Sequence, residues 1–350
     1  MRAMSEGRIA RTYRRHLRRR YAFVTALLVL TGLALIYGLQ VGPYALHWSH
    51  VLAHPGQSVE ARIFWSIRLP RVLAAVVVGA SLALAGAVMQ NVLHNPLASP
   101  FTMGISHGAM FGAALVIGVM GAGWVGGTGH LVGARPSAVV PAAFAGAMVG
   151  VVVILVLARL RGFTPEAIVL AGVAMSALFT AATTLIQYFT DETALVSIVY
   201  WTFGDVGRPV WGDIGWMTGV FVPALVYFLW QRWNFNALES GDEVARSLGV
   251  DVARVRLLGL LIASLLTAVD VAFVGIIGFV GLICPHFVRL AIGGDHRFLL
   301  PATAVTGALL LLLADALARS LISPDILPVG VLTSFLGAPM FLYLLWRRSA

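Results

Sequence analysis

The chain has 350 residues, 59% of them hydrophobic and only 11% charged, which excludes a soluble globular domain and indicates a polytopic membrane protein. All 24 basic residues are arginine, against 15 acidic ones; without lysine the chain can form neither a P-loop nor a Schiff base, so any ATP hydrolysis linked to it belongs to another polypeptide. Its one cysteine, Cys284, excludes an intrachain disulfide and a multi-cysteine metal site.

Arginines crowd the stretch from Arg8 to Arg20, and an apolar run to Val41 follows. That run is a full membrane span, longer than the core of a signal peptide, and no small-x-small cleavage site follows it. It is expected to be a retained first helix. Hydrophobic runs predict ten membrane segments, at about 22–41, 71–92, 102–120, 138–158, 167–189, 213–230, 255–274, 277–292, 299–320 and 328–346. The eighth is short and interrupted by Pro285. With the N-terminus inside, 18 of the 24 arginines fall on the cytoplasmic side, as the positive-inside rule requires. The expected fold class is therefore all-α: a basic cytoplasmic terminus over 1–21, one transmembrane domain over 22–346 and a cytoplasmic C-terminus over 347–350.

Within this frame a few positions stand out in chain order. His47, His50 and His54 lie at i, i+3 and i+7 in the first outer loop, where a metal or haem contact and an interfacial position compete. Gly104, Gly108 and Gly112, then Ala142, Gly146 and Gly150, repeat at four-residue spacing and predict close helix approach. His107 lies inside the third segment, as a pathway group or a packing histidine. The stretch 191–212 is aromatic enough to lie at the interface or to form a partial helix. Residues 231–256 form the one polar island, with helical character, charge at i,i+4 spacing from Glu239 to Glu243 and from Asp242 to Arg246, and a helix stop at Gly249. Asp270 is a carboxylate inside the seventh segment, costly in lipid unless paired or protonated, and nothing in the sequence names its partner. His286 and Arg289 read as a helix-terminal hydrogen-bonding pair, since no carboxylate stands at metal-ligand spacing.

Several motifs occur together in order. Arg68-Leu69-Pro70-Arg71 opens the second segment and Asn95-Pro96-Leu97-Ala98-Ser99-Pro100 follows its inner end. Gly278-Phe279-Val280-Gly281-Leu282-Ile283-Cys284-Pro285-His286-Phe287-Val288-Arg289 leads into Gly294-Asp295-His296-Arg297. With Asp242–Gly249, Asp315–Arg319 and Leu336-Gly337-Ala338-Pro339, these resemble the permease subunit of type II ABC importers, the family that takes up iron–siderophore complexes, haem and cobalamin.

The resemblance implies a ten-helix permease in the bacterial inner membrane that works as a homodimer with two separate ABC ATPase subunits. It further implies a periplasmic substrate-binding protein above and lipid around, with no nucleic acid, cofactor, resident metal or catalytic residue. Arg68, Arg71 and Arg319 match positions that meet the binding protein, although snorkelling or an i,i+4 pair of Arg319 with Asp315 explains them as well. Asn95, Leu97, Phe163 and Thr164 match cytoplasmic constrictions, against ordinary proline-containing turns. Glu239, Asp242, Glu243, Arg246, Ser247, Leu248 and Gly249 match the segment gripped by the ATPase. The function so implied is alternating-access import of an iron chelate, an iron–siderophore first and haem, cobalamin or an oxyanion next. A proton-coupled carrier using Asp270, Asp315 or His107 is the rival. An intramembrane hydrolase is disfavoured, because no Ser–His, His–Glu or paired-Asp constellation stands at helical spacing.

Overall fold

The computed structural model describes residues 2–42, 44, 58–121, 136–160, 164–322 and 325–348. Its elements are α1 (Arg2–Gln40), α2 (Val59–Ile63), a π turn (Phe64–Arg68), α3 (Leu69–Val92), α4 (Ile105–Met120), α5 (Pro136–Leu160) and α6 (Pro165–Phe189). They continue with α7 (Glu192–Thr202), α8 (Trp211–Trp230), α9 (Arg232–Glu239), α10 (Asp242–Ser247), α11 (Val252–Val274), α12 (Val280–Ile292), α13 (His296–Ser320) and α14 (Val329–Arg348). Among the described residues, seven helices are long and apolar enough to cross a membrane, and three shorter apolar ones, α4, α12 and α14, complete the ten segments that hydropathy predicts. The all-α expectation holds among the described residues.

The π turn has a local cause. Pro70 has no N–H to donate and its ring crowds the carbonyl four residues back, so the helix widens just before it. Residues 191–202, aromatic in the sequence, form the separate helix α7, started by Asp191, whose carboxylate accepts from the Ala194 N–H at 2.9 Å. The polar island is not one helix but two short ones. Gly241, at φ 105°, breaks it between α9 and α10, a conformation that a side chain would resist.

α3 is the central element. The apolar window of Val59–Val92 is 83% buried, against 67% for the next most buried long spans, and α3 packs against α13, α11, α12 and α8. Lipid supplies no hydrophobic drive between helices, so they gain by close van der Waals approach. Glycine makes that approach possible. A Cβ on Gly86 would lie 1.9 Å from the Gly281 carbonyl oxygen of α12, and one on Gly79 would lie 2.3 Å from that of Gly307 on α13. The predicted small-residue stripes meet as well: Gly108 faces Gly146, and Gly112 faces Ala142, joining α4 to α5.

The chain is irregular where α7, the α11–α12 connection and α14 converge. There Asp205 N–H donates to Val274 O at 2.8 Å, Gly330 N–H to Gly204 O at 3.0 Å, and Phe203 bridges Ile276 in parallel. These bonds satisfy backbone groups that helices would otherwise pair internally.

Gly86→Val should push α3 off α12 at a cost of about 1–3 kcal/mol or more, lowering the melting temperature of the detergent-solubilised protein. Gly219→Val, where a new Cβ meets nothing within 4 Å, should leave it unchanged.

Candidate functional site

Three groups of residues carry the candidate function. The first lies where α1 and α13 end and α3 begins. Arg68, Arg71 and Arg319 are 4%, 7% and 4% exposed, so their side chains turn into the protein. Arg71 Nε donates to Asp315 Oδ1 at 2.7 Å, and Arg319 Nη2 lies 2.9 Å from Asp315 Oδ2. The i,i+4 pair weighed for Arg319 is therefore present. Arg71 Nη2 also reaches Asp205 at 3.2 Å.

The surplus positive charge has a use. Arg68 donates to the carbonyls of Leu39 at 3.0 Å, Gln40 at 2.7 Å and also Tyr44, and Arg319 donates to that of Val41. The last carbonyls of a helix lack intrahelical donors and carry the negative end of its dipole. Two guanidinium groups thus cap α1, which is why they turn inward.

The second group is a cavity of about 340 Å³ at the convergence of α7, α12 and α14. Phe101, Phe203, Phe279 and Phe335 wall it, and the hydroxyls of Thr202 and Ser334 are its polar side-chain groups. Phe279 adopts φ 66°, a left-handed conformation costly for an aromatic residue, just before α12. Gly337 on α14 accommodates its ring, since a Cβ there would lie 2.5 Å from Phe279 Cβ. His107 stacks behind the wall, its ring centroid 5.1 Å from that of Phe101, and its Nδ1 has no hydrogen-bond partner. Asp270 is apart from the cavity lining. It is buried beside Ser81 of α3, and its Oδ2 has no hydrogen-bond partner.

The third group surrounds the end of α3. Asn95 is half-buried and accepts from the Leu97 N–H at 2.9 Å, and Leu97 is exposed. Thr164 is exposed and caps α6 without a side-chain bond. Phe163 lies outside the described residues, as do His47, His50 and His54. The residues expected to couple divide into two sets. Glu239 and Asp242 bond inward, to Asn91 at 3.0 Å and to Arg256 at 2.9 Å. Glu243, Arg246, Ser247, Leu248 and Gly249 face outward, with the Arg246 side chain 63% exposed and 3.8 Å from Asp242. Val244 joins them, so an exposed face of α10 mixes charge with aliphatic groups.

Nearby, Asp295 ties three elements together by accepting from Arg20, Asn236 and Arg297. Partial burial opposes its ionisation, but the bonds from Arg297 and Asn236 prevail and hold its carboxyl well below the usual carboxylate range. Arg289 donates to Gln90 Oε1 at 3.2 Å, which fits the hydrogen-bonding reading of that helix end. Sequence reasoning missed Asp205, Asn91, His94 and Arg256. Their partners lie more than ten residues away, and no local spacing announces them.

The chain matches known proteins over most of its length. A model of the FecCD transport family matches residues 27–347. A chain of Methanocaldococcus jannaschii, assigned by name alone as an ABC transporter permease, is 57% identical, covering 97% of this chain and 98% of the relative. The hemin transport system permease HmuU of Yersinia pestis is 38% identical over 92% of this chain and 94% of its own. The vitamin B12 import permease BtuC of Vibrio cholerae is 39% identical over 83% and 85%. A solved inward-facing structure, assigned by name alone to the metal-chelate type of ABC transporter, aligns with a TM-score of 0.80 at 32% identity. It covers 93% of this chain and 99% of that one.

Asp315→Asn should leave Arg71 and Arg319 without their shared counter-charge. The expected loss is about 3–5 kcal/mol, the range for breaking a buried pair, read as a lower thermal midpoint in detergent. Asp325→Asn, at an exposed position, serves as the control and should stay near wild type.

Proposed function

Because the chain belongs to the FecCD transport family, we propose that this importer permease carries a bulky metal chelate inward by alternating access. It works as a homodimer driven by two ATPase subunits and fed by a substrate-binding protein. The observation that carries the reading is α10. Its outward face, formed by Glu243, Val244, Arg246, Ser247 and Leu248, is a solvated amphipathic surface on a chain otherwise built for lipid. A short helix fixed on its inner side and free on its outer side suits a cleft in a soluble partner.

The cargo class rests on two supports. Named relatives carry hemin or vitamin B12, both bulky metal chelates, and none of those cited here is named for a siderophore. The cavity at α7, α12 and α14 offers aromatic rings, glycine backbone and two hydroxyls, with no charged side chain in its lining. A chelate with a broad apolar face suits such walls better than a highly charged one. Weak, distributed contact also favours release. The iron–siderophore expectation therefore gives way to a macrocyclic metal chelate as our first choice.

Docking of the binding protein stays part of this reading, on the side of the buried arginine cluster. Arg68, Arg71 and Arg319 set the shape of that surface by fixing the ends of α1, α3 and α13. A proton-coupled carrier gains nothing from α10, which has no role in that mechanism.

Two experiments test the proposal. Glu243→Lys with Arg246→Glu should lower substrate-stimulated ATP hydrolysis several-fold in the assembled transporter while the permease stays folded. Unchanged stimulation in a normally assembled complex would remove α10 from the coupling role. The second concerns orientation. In a Cys284→Ser background, a cysteine replacing Ser240 should react with an impermeant thiol reagent only from the cytoplasm, and one replacing Ser58 only from outside. Reaction of both from one side would overturn the ten-span arrangement.

A further inference from the structure

The outward face of α10 receives a partner, but the inner turn that it would have to move lies on another part of the chain. Residues 93–97 follow α3 directly, and α9 and α10 come more than a hundred residues later. Packing holds these parts together: Phe235, Leu238 and Ala245 are buried against the same core as Val88, Val92 and Leu93. Apolar packing alone leaves the orientation of the last α3 turn open, because it has no directionality.

Polar links from three side chains fix it. Asn91 Nδ2 donates to Phe235 O at 3.1 Å and to Glu239 Oε2 at 3.0 Å, so it grips α9 at both backbone and side chain. His94 Nε2 donates to Leu238 O at 2.8 Å, one of the last carbonyls of α9. Its Nδ1 lies 3.8 Å from Asp242 on α10. Arg256, in the first turns of α11, donates through Nε to Val92 O at 2.6 Å and through Nη2 to both Asp242 oxygens, at 2.9 and 3.1 Å. Arg256 thereby joins the last residue of α3 to the first of α10.

The backbone at His94 supports the same reading. Its φ of 46° is left-handed, a conformation that glycine or asparagine takes more readily, and the bonds of its ring hold it there. The next residue, Asn95, organises the inner turn by accepting from the Leu97 N–H. Directional bonds thus run from α9 and α10 to the end of α3, from Asp242 to Arg256 to Val92 and from Leu238 to His94, and the backbone carries them on to Asn95 and Leu97.

We propose that Asn91, His94 and Arg256 are positioning residues. They form a polar clamp that makes the 95–97 turn follow the displacement of α9 and α10. This rests on the importer reading above and adds to it the route by which the partner's movement reaches the candidate gate. Directional bonds to three carbonyls and two carboxylates transmit rotation as well as push, which apolar contact does not.

The test follows the gate and the coupling helix separately. In a Cys284→Ser background, one preparation carries Leu97→Cys and another Ser247→Cys, each purified with its ATPase subunits and reconstituted. The rate of reaction with a water-soluble thiol reagent is measured without nucleotide and with ATP plus vanadate. Without further change, both sites should respond to nucleotide several-fold. His94→Gly accepts the left-handed backbone and removes the ring, so the fold is kept. Combined with Asn91→Ala, it should reduce the response at position 97 to less than twofold and leave that at position 247 intact. His94→Gln, which retains a donor, should restore the response at 97.

A full response at 97 in the doubly substituted protein would overturn the clamp. Equal loss at 97 and 247 would also overturn it, because that pattern reports failed assembly. No response at 247 in the otherwise unsubstituted protein would refute the importer reading itself, and with it this proposal.

Discussion

One carboxylate sets the arrangement of the outer half. Asp315 is fully buried in α13 and shared between Arg71 of α3 and Arg319 of its own helix. Neither arginine would be stable there without it, because a charge removed from water needs a close partner. The cluster does more than neutralise. Arg71 reaches on to Asp205, next to the cavity-lining Phe203 and Gly204, while Arg68 and Arg319 occupy the carbonyls that end α1. Three helix ends and one cavity wall therefore take their positions from a single acidic residue.

From that cluster α3 runs about 36 Å inward at the usual helical rise, a rod of 24 residues. Glycine-to-backbone contacts fix it along its length, against α13 at Gly79 and against α12 at Gly86. At its inner end the holding changes in kind. Gln90, Asn91 and the Val92 carbonyl are gripped by Arg289, α9 and Arg256 through hydrogen bonds.

The sequence made the frame readable because the membrane imposes it. Every span must be apolar and of fixed length, so the ten runs and their small-residue stripes appear directly as composition. The site was only partly legible, for a physical reason visible in Arg71. A guanidinium beside Pro70 at a segment boundary looks the same whether it faces a partner or turns to a carboxylate 244 residues further on. Burial depends on the partner, and the partner is remote. The island reads as polar, but its division at Gly241 lets Glu239 and Asp242 bond back to Asn91 and Arg256 and leaves Glu243 and Arg246 on the outer face. Charge spacing alone does not carry that distinction. Asp270 has no basic partner among the described residues; it sits beside Ser81 with one oxygen unbonded.

The contrast between the two ends of α3 locates where this molecule is free to move. Sliding α3 past α12 would drive backbone atoms into each other at Gly86, a barrier that no solvent relieves. The outer cluster resists separation for a second reason, since parting Asp315 from its arginines exposes uncompensated charge to a low-dielectric interior. At the inner end Asn91 is buried, but His94 is exposed and Asp242 half-buried, beside exposed Pro96 and Leu97. A hydrogen bond broken there exchanges with water at a net cost of about 0.5–1.5 kcal/mol. In the proposed coupling, a partner bound to α10 supplies that much many times over. Under the proposed coupling, motion is therefore confined to the α10 end of α3, with the Asp315 cluster as its fixed point.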